Sequence, residues 1–169
     1  MRDHTRTRAA GLAAALAVGV LLVACSADEQ TVPLEVRIVQ DTPAKSLTRM
    51  TMTVWGGDLT YYAHPEILLT EADLTVAKPI QLDGAAAIEL VLSDEARERL
   101  ADATRSNVGS RLGIILNGKL QCASVIDAPL ETGTVQVTGH MLEPTAKRYS
   151  RALTRGAVNQ SNPIVPDEV

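Results

Sequence analysis

Residues 88–139 read IELVLSDEARERLADATRSNVGSRLGIILNGKLQCASVIDAPLETGTVQVTG, and this stretch decides the fold. Ala86 to Leu92 has the apolar bias of a strand, and Ser93 is a natural helix N-cap. Asp94 and Glu95 then sit in the first turn, where the helix dipole favours carboxylates. Ala96, Leu100 and Ala103, with Val108 as a further member, form the apolar stripe, and Gly109 is the expected stop. Arg111 to Leu116 is dominated by Leu112, Ile114, Ile115 and Leu116 and predicts a strand. Asn117-Gly118 follows, a strong two-residue hairpin signal because both positions tolerate positive φ. Lys119 to Ile126 is the return strand, and Pro129 and Gly133 mark a loop before the alternating strand Thr134–Thr138.

Working outward, Asp83-Gly84 joins Ala77–Leu82 to Ala86–Leu92 as another hairpin. Thr70 before Glu71-Ala72-Asp73 resembles an N-cap, although Val76 and Pro79 leave room only for a short turn. Pro33–Gln40 alternates Leu34, Val36 and Ile38 against its neighbours. Met50–Trp55 alternates likewise, and Gly56-Gly57-Asp58 turns it into Leu59–Ala63. Downstream, Pro144–Arg155 has helical spacing, with Ala146, Tyr149 and Leu153 on one side and Gly156 at its end. Tight hairpins interleaved with helices predict an α+β fold, a largely antiparallel sheet with one or two packed helices. Asn159 to Val169 holds two prolines and reads as an irregular tail.

From Ile88 to Val158 the order and spacing of these motifs resemble the head subdomain of the first periplasmic domain of SecD, a proton-driven accessory component of the Sec translocase. The residues that carry the likeness are Thr104, Asn107 and Val108-Gly109 at the helix end, Gly118 in the hairpin, and Ala123 with Val125-Ile126 in the next strand. Pro129-Leu130, Gly133 and Gln136-Val137-Thr138-Gly139 follow, and then Leu153-Thr154-Arg155-Gly156-Ala157-Val158. Ala77-Lys78 fits more loosely. Asn117 stands where that family usually has Asp, Cys122 where it has Ser, and Ser124 where it has Pro. The resemblance implies a SecD head-like fold over residues 33–158 and a mode of contacting extended polypeptide. With no apolar span after Val158, the expectation is a stand-alone head without the proton-driven membrane part.

The opening MRDHTRTR is basic, and Ala9 to Ala24 contains no charge. That run is shorter than the roughly 20 apolar residues a spanning helix needs, so residues 1–24 predict a secretory signal. Leu22-Val23-Ala24-Cys25 is similar to the bacterial lipobox, which makes Cys25 the predicted lipidation site. An ordinary signal peptide with a stray cysteine, or an uncleaved anchor, are the alternatives. Residues 25–32 then form the lipidated cysteine and its polar tether, and the localisation expected is a cell membrane, with the domain facing the periplasm or the exterior.

Loss of Arg2, Arg6 and Arg8 from the 16 basic residues and of Asp3 from the 20 acidic ones leaves 13 against 19, a balance of −6. That acidity gives no electrostatic case for nucleic acid. About 145 mature residues correspond to one domain. With no Phe and a single Trp, its core must be built from Leu, Val, Ile and Ala. Cys122 has no intrachain partner once Cys25 is acylated, no His, Lys or Arg lies within two residues, and the expectation is a buried, inert thiol.

Nothing in the chain spells a catalytic, cofactor-binding or metal-binding motif. His64 and His140 each stand alone, without ligands at metal spacing. Asp94, Glu95 and Glu98 lie at a helix start, where capping accounts for them. Lys147, Arg151 and Arg155 fall at i, i+4 and i+8, with Arg148 alongside. Two readings stand for this stripe: contact with anionic lipid headgroups, or a solvated face opposite Tyr149 and Leu153. The function expected is a non-enzymatic, membrane-anchored binding domain whose partners are unfolded exported polypeptide or Sec translocase components. Binding would use an unpaired strand edge or an apolar groove flanked by the Ala96/Leu100 helix. The rivals are an envelope enzyme whose residues converge only in space, and a purely structural lipoprotein.

Overall fold

The computed structural model describes residues 32–161, with side chains as far as residue 158. The expected signal, the lipidated Cys25 and residues 162–169 lie outside the described residues. The elements run β1 (Leu34–Gln40), β2 (Thr48–Val54), β3 (Gly57–Ala63), a single 3-10 turn (Glu71–Asp73), β4 (Leu74–Leu82), β5 (Ala85–Leu92) and α1 (Asp94–Arg105). They continue with β6 (Arg111–Leu116), β7 (Lys119–Val125), β8 (Thr134–Val137) and α2 (Glu143–Ser161). Every strand pairing is antiparallel, and the two helices complete the expected α+β architecture.

The strands divide into two sheets, ordered β2-β3-β1-β6-β7 and β4-β5-β8. Alternation explains the division of their faces. Leu34, Val36, Leu112 and Ile114 turn one face of the larger sheet into the main core, where they join Ile88, Leu90 and Val137 of the smaller sheet. Leu100 of α1 and Leu153 of α2 complete that core. Val39, Ile115 and Leu120 occupy a second cluster with Met52 and Tyr61 of the β2–β3 hairpin. The hairpin thus brings β2 against β7, although these strands stand at opposite ends of the sheet order. Gly113 makes that closure feasible, since a Cβ there would lie 2.5 Å from Val39 Cγ1. Among the described residues, the buried apolar side chains run from Val32 to Ala157.

Local chemistry fixes the termini of the elements. Ser93 Oγ accepts the Ala96 N–H at 3.2 Å and caps α1. Asn117 (φ 50°) and Gly118 (φ 71°) occupy the left-handed region that a primed hairpin turn requires. The 3-10 turn is fixed by the Thr70 N–H, which donates to Asp73 Oδ2 at 2.8 Å.

Three expectations need correction. The stripe of α1 contains Ala96, Leu100, Ala101 and Thr104; Ala103 is half-buried, and Val108, beyond the helix end, is exposed. Thr104 replaces an apolar residue there because its hydroxyl donates to Leu100 O at 2.7 Å and accepts the Leu130 N–H at 2.9 Å. Nor does α2 end at Gly156. The helix runs through Asn159 to Ser161, so the irregular tail cannot begin at Asn159. A Cβ at Gly156 would stand 3.1 Å from Glu71 Cγ, so this glycine serves close packing within the helix. Finally, Gly57 and Asp58 belong to β3 and not to the turn before it.

Candidate functional site

α2 closes one edge of the smaller sheet. Thr154 Oγ1 accepts the Ala77 N–H at 3.0 Å and donates to Ala77 O at 3.1 Å, so the outer rim of β4 is satisfied at that point. At the opposite edge, β8 pairs among the described residues with β5 alone. The Leu92 N–H donates to Gly133 O at 2.9 Å, which sets the phase of the ladder. Because hydrogen-bonded and non-bonded pairs alternate in an antiparallel ladder, Val135 and Val137 turn their backbone groups toward β5, and Thr134 and Gln136 turn theirs outward. Thr134 O accepts the Thr132 hydroxyl at 3.3 Å.

The outward edge of β8 faces a cleft of about 480 Å³ whose far wall is Ser124 and Val125 of β7. Leu112, Ile114 and Ile126 supply its apolar lining, and Pro129 and Leu130 border it. The chain after β8 approaches β7 closely, since a Cβ on Gly139 would lie 3.0 Å from Gln121 O. A second cleft of about 640 Å³ lies beyond that contact, between Met52 and Trp55 of the hairpin, β7, and the connection from β8 to α2. Ser124 lines both clefts. Trp55 is 88% exposed at the second mouth with Leu142 at 75%, and its ring lies 5.2 Å from that of His140. The combination is an open strand edge beside apolar walls, the geometry that receives an extended peptide by strand addition.

Other expected groups are distributed differently. Ala96 and Leu100 are 0% and 1% exposed, so neither side chain is open to a ligand; the outer face of the helix borders a polar depression with Arg97, Arg105 and Glu131. Cys122 is buried, and that burial raises its thiol pKa, while backbone contacts from Thr138 and Ile114 act in the opposite direction. A thiol held protonated is a poor nucleophile. His64 meets Gln40 Oε1 at 3.2 Å and His140 meets Trp55, so the structure does not bring the two histidines together. Among the described residues no group of three or more His, Cys, Asp or Glu could hold a metal, and no helix is long and apolar enough to cross a membrane.

The β8 edge and Trp55 escaped the sequence reading. Alternation marks β8 as a strand but does not reveal which neighbour it lacks, and a lone Trp beside Gly56-Gly57 signals only a turn. Their juxtaposition is a product of how the hairpin folds over the larger sheet.

Comparison with known proteins gives this geometry its family. Residues 47–159 match the profile of the SecDF P1 head subdomain. Protein translocase subunit SecD of Acetobacter pasteurianus is 30% identical over 118 residues, which is 69% of this chain and 22% of that protein. Subunit SecD of Sebaldella termitidis is 33% identical over 75 residues, 44% of this chain and 18% of that one. Subunit SecDF of Brucella abortus is 29% identical over 102 residues, covering 59% and 14%. The chain therefore spans about a fifth or less of the length of these relatives. Among solved structures, SecDF, a membrane component that enhances protein export, superposes with a TM-score of 0.58 at 22% identity, covering 75% of this chain and 63% of that one. SecDF in its super-membrane-facing form gives 0.60 at 23% identity, covering 75% and 19%. Those superpositions establish the fold, and with the profile match they show that the chain belongs to the SecDF P1 head subdomain family.

Proposed function

We propose that this chain is a membrane-tethered, non-enzymatic SecD-like head that binds extended segments of exported polypeptide by adding them as a strand to β8. The observation that carries this reading is the outward-turned backbone of Gln136 beside the apolar cleft between β8 and β7. Backbone pairing reads no side chains, so binding is weak and tolerant of sequence, with selectivity left to the alternate pockets. Cys25 supplies the tether through a diacylglyceryl group, and the domain works on the periplasmic or outer side of the membrane. Its names among relatives support a partner in the Sec translocase.

Titration of the chain from residue 26 onward, which carries both buried clusters, against a panel of fluorescent unfolded exported polypeptides tests the reading. The result expected is saturable binding to most members without added metal or nucleotide. No association at high micromolar concentration, or strict dependence on a metal ion, overturns it. The tether has its own test: Cys25→Ser must abolish acyl incorporation and leave an uncleaved or mislocalised precursor.

A further inference from the structure

The exposed face of α2 is a strip of positive charge on an otherwise acidic chain. The helix carries four of the 16 basic residues and one of the 20 acidic ones, leaving 12 against 19 elsewhere. At 3.6 residues per turn, Lys147, Arg148, Arg151 and Arg155 fall within about 100° of arc. All four are exposed, while Ala146, Ser150, Leu153 and Ala157 on the opposite side are buried. Glu143 pairs with Lys147 at 2.6 Å, so the positive centre of the strip lies toward Arg148 and Arg151. The Arg148 guanidinium also lies 5.4 Å from the Tyr149 ring centroid, which orders it on the surface.

None of the four cations lines any of the clefts beside β7, β8 or α1. The strip therefore lies on the exposed face of α2, apart from those three clefts. A row of long, exposed cationic side chains suits a plane of mobile negative charge. We infer that this face of α2 docks the domain on a bilayer surface rich in anionic phospholipid headgroups. Each basic residue brought near such a surface strengthens partition by about fivefold, and salt weakens the effect. This docking is independent of strand addition at β8 and fixes how the head lies on its membrane.

The chain's own lysines provide the readout. The full chain is reconstituted into vesicles of phosphatidylcholine alone or with a large fraction of phosphatidylglycerol, and amine acylation is followed at each lysine by mass spectrometry. Lys45, Lys78 and Lys119 are exposed on other elements and serve as internal references. On anionic vesicles the Lys147 labelling rate falls several-fold relative to those three, and the protection disappears in high salt. In Arg148→Glu/Arg151→Glu it falls away entirely. Equal labelling of Lys147 on both vesicle types overturns the inference, as does protection that survives the double charge reversal. Protection that appears only when an acidic polypeptide is added also overturns it, and assigns the face to that polypeptide.

Discussion

Thr154 and Ala77, far apart in sequence, meet at the edge of β4, where the hydroxyl satisfies both backbone groups of Ala77: it accepts from the Ala77 N–H at 3.0 Å and donates to its carbonyl at 3.1 Å. α2 thereby caps one edge of the small sheet and leaves β8 as the other. Loss of the hydroxyl strands a backbone donor and an acceptor in a partly buried seam. Thr154→Val is isosteric and should lower stability by about 1–3 kcal/mol, whereas Thr154→Ser keeps both bonds and most of the stability. Denaturant midpoints of the two variants check this, and equal midpoints would show that water replaces the hydroxyl freely.

Gly113 holds the larger sheet together for a steric reason. Its Cβ position lies 2.5 Å from Val39 Cγ1 and 3.2 Å from Leu120 Cδ1, inside the cluster beneath the β2–β3 hairpin. Gly113→Ala should therefore cost about 1–3 kcal/mol through overpacking. Val39→Ala opens a cavity when made alone, but in the Gly113→Ala background it removes the clash. The double variant should be more stable than the sum of the single losses predicts, and strict additivity in a denaturation cycle would reject the contact.

The Asn117-Gly118 turn makes a simpler demand. Gly118 has a φ of 71° and no neighbour within 4 Å of its Cβ position, so the cost of a side chain there is conformational and not steric. Gly118→Val places a β-branched residue in the left-handed region and should destabilise the domain by more than about 1 kcal/mol. An unaltered denaturation midpoint would contradict the turn assignment.

Cys122 gives a pH dependence with a definite sign. Its ordinary pKa is 9.0, and burial raises the native value above that. The native state therefore keeps its proton at pH values where the unfolded chain has begun to lose it. Stability from this group is complete below pH 9.0 and falls as the pH rises from there through the native value. Cys122→Ala should show a shallower alkaline loss of stability than the parent protein. Thiol reagents should modify Cys122 at a rate set by opening of the fold; rapid labelling of the folded protein at pH 8 would place the thiol at the surface.

Hairpins and caps were the legible part of this fold. Asn117-Gly118, Asp83-Gly84 and Ser93 act through bonds between near neighbours, so their residue types alone fix the local conformation. The division into two sheets was not legible, because alternation gives each strand a buried face without naming the partner. Thr104 and Gly156 misled the helix reading for a related reason. A buried threonine looks polar until Leu130 arrives to donate to it, and an interior glycine looks like a stop until Glu71 packs against it. The clefts beside β7 depend on both sheets and the hairpin at once, and periodicity carries no signal for such a junction.

Gln136 offers the sharpest test of strand addition, because its backbone and side chain can be separated. The phase of the β5–β8 ladder turns its N–H away from β5, so proline at this position removes no ladder bond. An incoming strand, by contrast, would lose a backbone donor and meet the proline ring. Gln136→Pro should therefore keep the denaturation midpoint close to that of the parent and weaken binding of unfolded polypeptide by about tenfold. Gln136→Ala leaves the backbone intact and should bind as the parent does. Parental affinity in Gln136→Pro would remove β8 as the docking edge. An equal loss in both variants would assign the contact to the glutamine side chain, and binding would then select among sequences where backbone pairing tolerates them.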